Sequence, residues 1–303
     1  MPTQFPAAFD AFVEPARARS KIWHTIVGFI VFALLYVIFI VAIGVGLFFL
    51  RENMSVDSGY NMMPVVIAGE TIFATFAMLG MVGLMIPPLW LVMRLVYKRP
   101  LSSLLGPNRR INWRMWGIAV GIMFAFGAID AGITFATKDV SQQMPVPQWL
   151  MWMMPAAVIL FIQTTAEELV FRGYLQQQLA ARFQSRWIWM VLPSVLFGLG
   201  HFSPDTFGDN ALLVVANALV MGLIAADLTA RLGNLSAAMG LHFANNFIIM
   251  EIMNMKGQLS GVSLFLFEAD LKSTSTGMAM GISLIAMPVI YGIFVVIHRR
   301  RRL

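Results

Sequence analysis

Residues 22 to 50 carry no charged side chain, and His24 is the only group in the run that ordinarily titrates near neutral pH. A helix needs about 20 apolar residues to cross a bilayer, whereas a cleavable leader has an apolar core of roughly 7–15, so this run is read as a retained membrane span. Similar segments recur at about 64–93, 113–136, 147–170, 187–201, 211–228, 234–253 and 277–297. Backbone groups in hydrocarbon must be satisfied within each segment, which leaves helices as the economical solution. The expected fold is therefore all-α: a polytopic membrane protein of about eight transmembrane helices.

Composition agrees. The chain is 59% hydrophobic and 12% charged, with a mean hydropathy of +0.76, against about 25% charged residues in an average soluble domain. It contains no cysteine, which excludes thiol catalysis, disulfides and cysteine-held zinc. The net charge of +6 implies no nucleic-acid partner, because basic residues in membrane proteins chiefly mark the cytoplasmic side. With alternate loops assigned to opposite sides, 17 of the 21 lysines and arginines fall on one side, leaving only Arg51, Lys138, Lys256 and Lys272 opposite. Both termini are thus expected in the cytoplasm. Pro87-Pro88 should kink the second span, while Pro64, Pro155, Pro193 and Pro288 should start or bend others. The segment after Arg172, Gly173 to Gln184, alternates at helical spacing and reads as a helix lying at or leaving the cytoplasmic interface.

Three polar clusters interrupt apolar segments in order. Glu167 and Glu168 lie in the first, followed by Arg172; Phe197 and His201 form the second; His242, Asn245 and Asn246 form the third. Acids inside hydrocarbon are expensive and usually functional. On a helix Glu168 and Arg172 share a face, and Glu167 points about 100° away from Glu168. One carboxylate can be held by the arginine while the other faces a cavity. Phe197 and His201, and likewise His242 and Asn246, are one turn apart. Each cluster also has a plain structural reading, as an ion pair, a packing histidine or interhelical glue. Together they supply a general base, a partner imidazole and two hydrogen-bond donors, the parts for attack of activated water on an amide. If the spans are straight, Glu167 and His242 lie nearer the cytoplasmic ends of theirs than His201. A tilted fifth span, or a Ser203-Pro204 loop folded back into the cavity, would reconcile the depths.

The motifs EExxxR, FxxxH and HxxxN, in this order on the fourth, fifth and seventh spans, resemble the CAAX prenyl protease and bacteriocin-processing family of intramembrane glutamic endopeptidases, also called the Abi family. The resemblance covers about residues 147–253. It implies an intramembrane catalytic cavity in which Glu167 activates water, His201 assists, and His242 with Asn246 forms the oxyanion site. Glu168 and Arg172 would support them, Phe197 would orient His201, and Asn245 could replace Asn246 as donor if the helix is rotated. The implied organisation is a cytoplasmic segment 1–21, three spans over 22–136, a catalytic core 137–253, and a last span with a basic tail over 254–303. No cofactor is implied, with zinc bound by the histidines and glutamates as the alternative. The implied partners are the lipid bilayer and a membrane-anchored or lipidated peptide or protein substrate, in what reads as a bacterial inner membrane. Glu70, Asp130, Asp227 and Glu251 keep two rivals open: a proton-coupled transporter, for which no paired half-repeats are visible, and a catalytically silent immunity or partner-binding protein. Arg231, four residues after Asp227, favours a structural ion pair there.

Overall fold

A computed structural model describes residues 6–53 and 69–300. Helix α1 (Ala7–Arg17) is followed by α2 (Ile22–Asn53), α3 (Ile72–Gly83), α4 (Ile86–Leu95) and α5 (Trp113–Thr137). A strand, β1 (Val140–Gln142), precedes α6 (Val146–Glu168), which runs through a π-helical stretch at Leu169–Leu175 into α7 (Gln176–Arg182). A π-helical turn at Trp187–Val191 then leads into α8 (Leu192–Leu199). After it come a short α9 (Pro204–Phe207), α10 (Ala211–Leu232), α11 (Ser236–Phe247), a π-helical turn at Ile248–Ile252, β2 (Met253–Met255), β3 (Phe265–Phe267) and α12 (Thr274–Arg300).

The protein is a polytopic, mainly helical membrane protein. Every expected span coincides with a helical segment, except that residues 64–68, including Pro64, lie outside the described residues, as do Arg301 and Arg302 of the tail. Among the described residues six helices are long and apolar enough to cross a bilayer; Trp187–Leu199 is a shorter apolar helix, and the seventh expected span falls on the short α11 and its π-helical turn. Along α2, Ile26, Ile30, Leu34, Val37 and Val41 are all exposed. Such a surface suits lipid, since lipid rather than water is its natural neighbour. The second span breaks at Leu84–Met85, and Pro87 and Pro88 occupy the first turn of α4, where their missing N–H groups do no harm.

The structure departs from the sequence reading at both ends of the bundle. At one end, β1, β3 and β2 form a small sheet, β1 antiparallel and β2 parallel to β3. Strands this short leave no periodic trace in a sequence. At the arginine-rich end, residues 176–182 continue α6, giving the single helical rod Val146–Arg182. Gln176, Gln177 and Gln178 are all fully buried. Helix α1 covers this end, inserting Phe9, Phe12 and Val13 into the main core beside Tyr174, Leu179 and Trp189. Gln177 Nε2 donates to the Phe12 carbonyl at 2.7 Å, which fastens α1 to α7.

Candidate active site

The three sequence clusters meet inside the bundle. Rod geometry explains how. Glu167 lies fifteen residues before Arg182, and His201 fourteen after Trp187. At 1.5 Å per residue both sit roughly 20 Å from the arginine-rich end. Counted along the helices in this way the two residues lie at similar heights, because the fourth helical segment extends through α7.

Glu168 and Arg172 are each 1% exposed. Glu168 Oε1 accepts from Arg172 Nη1 at 2.9 Å and from His242 Nδ1 at 2.8 Å. An ionised carboxylate can only accept, so Nδ1 carries the proton of the imidazole. The opposite ring atom, His242 Nε2, is 3.4 Å from Glu167 Oε2, close enough for an ionic contact but long for a hydrogen bond. The two carboxylates do point apart as their helical positions require, and one imidazole spans the gap between them.

Arg172 stands on the π-helical stretch, a feature that concentrates at functional sites. Its guanidinium carbon lies 4.4 Å from the centre of the Phe197 ring. That ring is 4.9 Å from His201 and 5.8 Å from His242, centre to centre. Phe197 is therefore a partition between the two histidines. His201 Nδ1 donates to the Phe197 carbonyl at 2.9 Å, which leaves Nε2 as the lone-pair nitrogen. Unlike His242, His201 is exposed. It joins the site through the Phe197 ring, and among the described residues no hydrogen bond connects it to Glu167.

The third cluster is bonded to the first through a residue that the spacing of the motifs does not contain. Gln163 Nε2 donates to Glu167 Oε2 at 2.7 Å, and Asn246 Nδ2 donates to Gln163 Oε1 at 3.3 Å. Asn245 Nδ2 donates to Asn246 Oδ1 at 3.1 Å. The available signal was a second polar side chain one turn before Glu167 in an apolar helix. Gly222 on α10 is also part of the site: a Cβ there would lie 3.1 Å from Arg172 Nη2 and 3.0 Å from Ser194 Cβ. Nothing in the local sequence marks that close approach.

Residues 147–248, which carry all of these groups, match the family described as type II CAAX prenyl endopeptidase, Rce1-like. This segment is similar to the Rce1-like family. The matched segment lies within residues 137–253 and ends just after Asn246. Its general class is that of a CAAX-type intramembrane protease. Beyond it, the chain is 26% identical over 262 residues to the uncharacterized protein YyaK of Bacillus subtilis, a match covering 83% of this chain and 85% of that one. No solved structure matches.

The remaining intramembrane acids are scattered over other elements. Asp227 is bonded by Arg231 and by the Tyr291 hydroxyl, as the spacing of the first pair suggested. Glu70 and Asp130 are exposed, and Glu251 is buried at the turn after α11. Among the described residues no three His, Asp or Glu side chains are grouped so as to hold a metal ion. Both ring nitrogens of His242 are turned toward carboxylates, and His201 Nδ1 is engaged with a backbone carbonyl.

Proposed function

We propose that the protein is an intramembrane glutamic endopeptidase that hydrolyses a peptide bond in a membrane-anchored or lipidated substrate. One observation carries the proposal: Glu167, Glu168 and His242, from helices far apart in sequence, share one imidazole bridge beside the amide of Asn246. Glu167 is the group with room to act. Its side chain is 13% exposed against 1% for Glu168, and it has no arginine partner among the described residues.

In the reaction Glu167 takes a proton from water while the water oxygen bonds to the scissile carbonyl carbon. The carbonyl electrons collect on oxygen, and the oxyanion is held by Asn246 Nδ2 and His242 Nε2. Collapse of this intermediate expels the amine, which receives the proton from Glu167. His242 can donate from Nε2 only as an imidazolium, because Nδ1–H already faces Glu168. His201, with a free Nε2, is placed to orient the water or the leaving amine. No resident metal takes part.

The exposed His201 and its neighbour Phe202 leave one side of the site uncovered by protein, and this side is the proposed entry for a substrate tethered in the membrane. Both termini are assigned to the cytoplasm and the membrane to a bacterial inner membrane. The test is cleavage of a panel of membrane-anchored peptides, prenylated and unmodified, by the purified protein and by Glu167→Gln. Cleavage present in the former and absent from the latter supports the assignment; equal cleavage by both sinks it.

A further inference from the structure

Gln163 lies between the two groups that the proposed chemistry uses most directly, and it is 6% exposed. Its Nε2 donates to Glu167, its Oε1 accepts from Asn246, and the Asn246 Oδ1 accepts from Asn245. Carboxamide oxygen and nitrogen are ordinarily hard to tell apart, and their orientation is inferred from the network. Here the charge at one end settles the whole chain. A carboxylate accepts and cannot donate, so Gln163 must offer its NH2 to Glu167. Its carbonyl then faces Asn246, which must offer NH2 in turn, and the Asn246 carbonyl is left for Asn245. All three bonds run in one sense, Asn245 to Asn246 to Gln163 to Glu167.

An Asn246 held in this way has one N–H committed to Gln163 and the other fixed in direction. Left alone, the terminal torsion of an asparagine is broad and nearly two-fold, so the amide would present its oxygen as readily as its nitrogen. A carbonyl aimed at a developing oxyanion would oppose the reaction, whereas a donor already in place stabilises the charge without reorganisation. We propose that Gln163 is a positioning residue that uses the charge of Glu167 to hold Asn246 as a donor, so that base and oxyanion donor are set by one bonded chain. This role rests on the reading of Glu167 as the base. It also separates Asn246 from Asn245: Asn246 faces the substrate, and Asn245 orients it.

The experiment uses the full chain in proteoliposomes, with steady-state kinetics on a cleaved peptide from the panel. Gln163→Met keeps a side chain of similar length and removes both bonds. It should lower kcat by about 10- to 100-fold with KM changed less than about two-fold, the pattern of an interaction made in the transition state. The double variant with Asn246→Ala should be no slower than Asn246→Ala alone, because Gln163 acts through that amide. Unchanged kcat, or losses that multiply in the double variant, would overturn the proposal. Thermal unfolding of each variant accompanies the kinetics. If Gln163→Met does not fold, Gln163→Asn, which keeps the amide but shortens its reach, carries the same expectations. Glu167→Gln separates the two levels: activity surviving there defeats the glutamate mechanism itself, whereas a silent Glu167→Gln beside a fully active Gln163→Met defeats only the role of Gln163.

Discussion

Arg172 is a full guanidinium with 1% of its surface exposed, in the middle of a bundle built for lipid. It is tolerable because Glu168 takes one Nη1 hydrogen and the Phe197 ring covers the planar face. Removing one partner of a buried pair leaves the other charge uncompensated, which costs about 3–5 kcal/mol. Arg172→Met should therefore unfold at markedly lower temperature in detergent, whereas Glu167→Gln, whose side chain is held by neutral Gln163, should unfold close to the parent. Equal thermal shifts would contradict this division between structural and reactive glutamates. Gly222→Ala puts a methyl against Arg172 Nη2 and Ser194. Overpacking of this kind costs about 1–3 kcal/mol, and it should reduce cleavage as well as stability; a variant fully active and fully stable would show that the two helices are less tightly apposed. Glu167, Glu168, Arg172, His242 and Asn246 were legible as residues, because polar groups in apolar helices at one-turn spacing are conspicuous, and Phe197 through its place one turn before His201. Their connections were not. The imidazole bridge depends on how α6 and α11 pack, and Gly222 has no polar atom to draw notice.

The element with most to add is α1. Its sequence reads as a short cytoplasmic stretch, yet Phe9 and Phe12 are fully buried, and Gly233 closes α10 in a left-handed conformation directly against the Ala8 backbone. A left-handed cap is natural for glycine, and here a side chain would also strike α1. The helix thus braces α7, and through the continuous rod it bears on the π-helical stretch that carries Arg172. Truncating a buried phenylalanine typically costs about 3–5 kcal/mol. Phe12→Ala should lower the unfolding temperature in detergent and increase proteolytic cutting near residues 176–186; an unchanged melt would mean that α1 rests on the bundle without supporting it. The extension of α6 into α7 hid behind its glutamines. Three consecutive polar residues signal an exposed surface, and only the carbonyls of Phe12 and Ala226, which receive two of those amides, make them a buried one.

Over the whole molecule the apolar segments gave the order of the helical segments, of which six among the described residues are long enough to cross a bilayer, because hydrocarbon allows little else. Length was less well legible: a π-helical turn or a short helix inside the bundle is shielded by neighbours rather than sized to the bilayer. Orientation rests on the distribution of lysine and arginine. Since the chain has no cysteine, single cysteines can be introduced at Lys98 and Lys256 and labelled from outside intact cells with a membrane-impermeant maleimide. The Lys256→Cys variant should label and the Lys98→Cys variant should not; the reverse pattern would invert the assigned topology. The central claim is that a glutamate, without a resident metal, activates the water. Its most direct test is single-turnover cleavage by protein stripped with chelator and assayed for residual metal, the parent against Glu167→Gln. Full activity of the metal-free parent, with a loss of at least about a thousand-fold in the variant, is the expected result; activity that vanishes on stripping and returns with added zinc would contradict it.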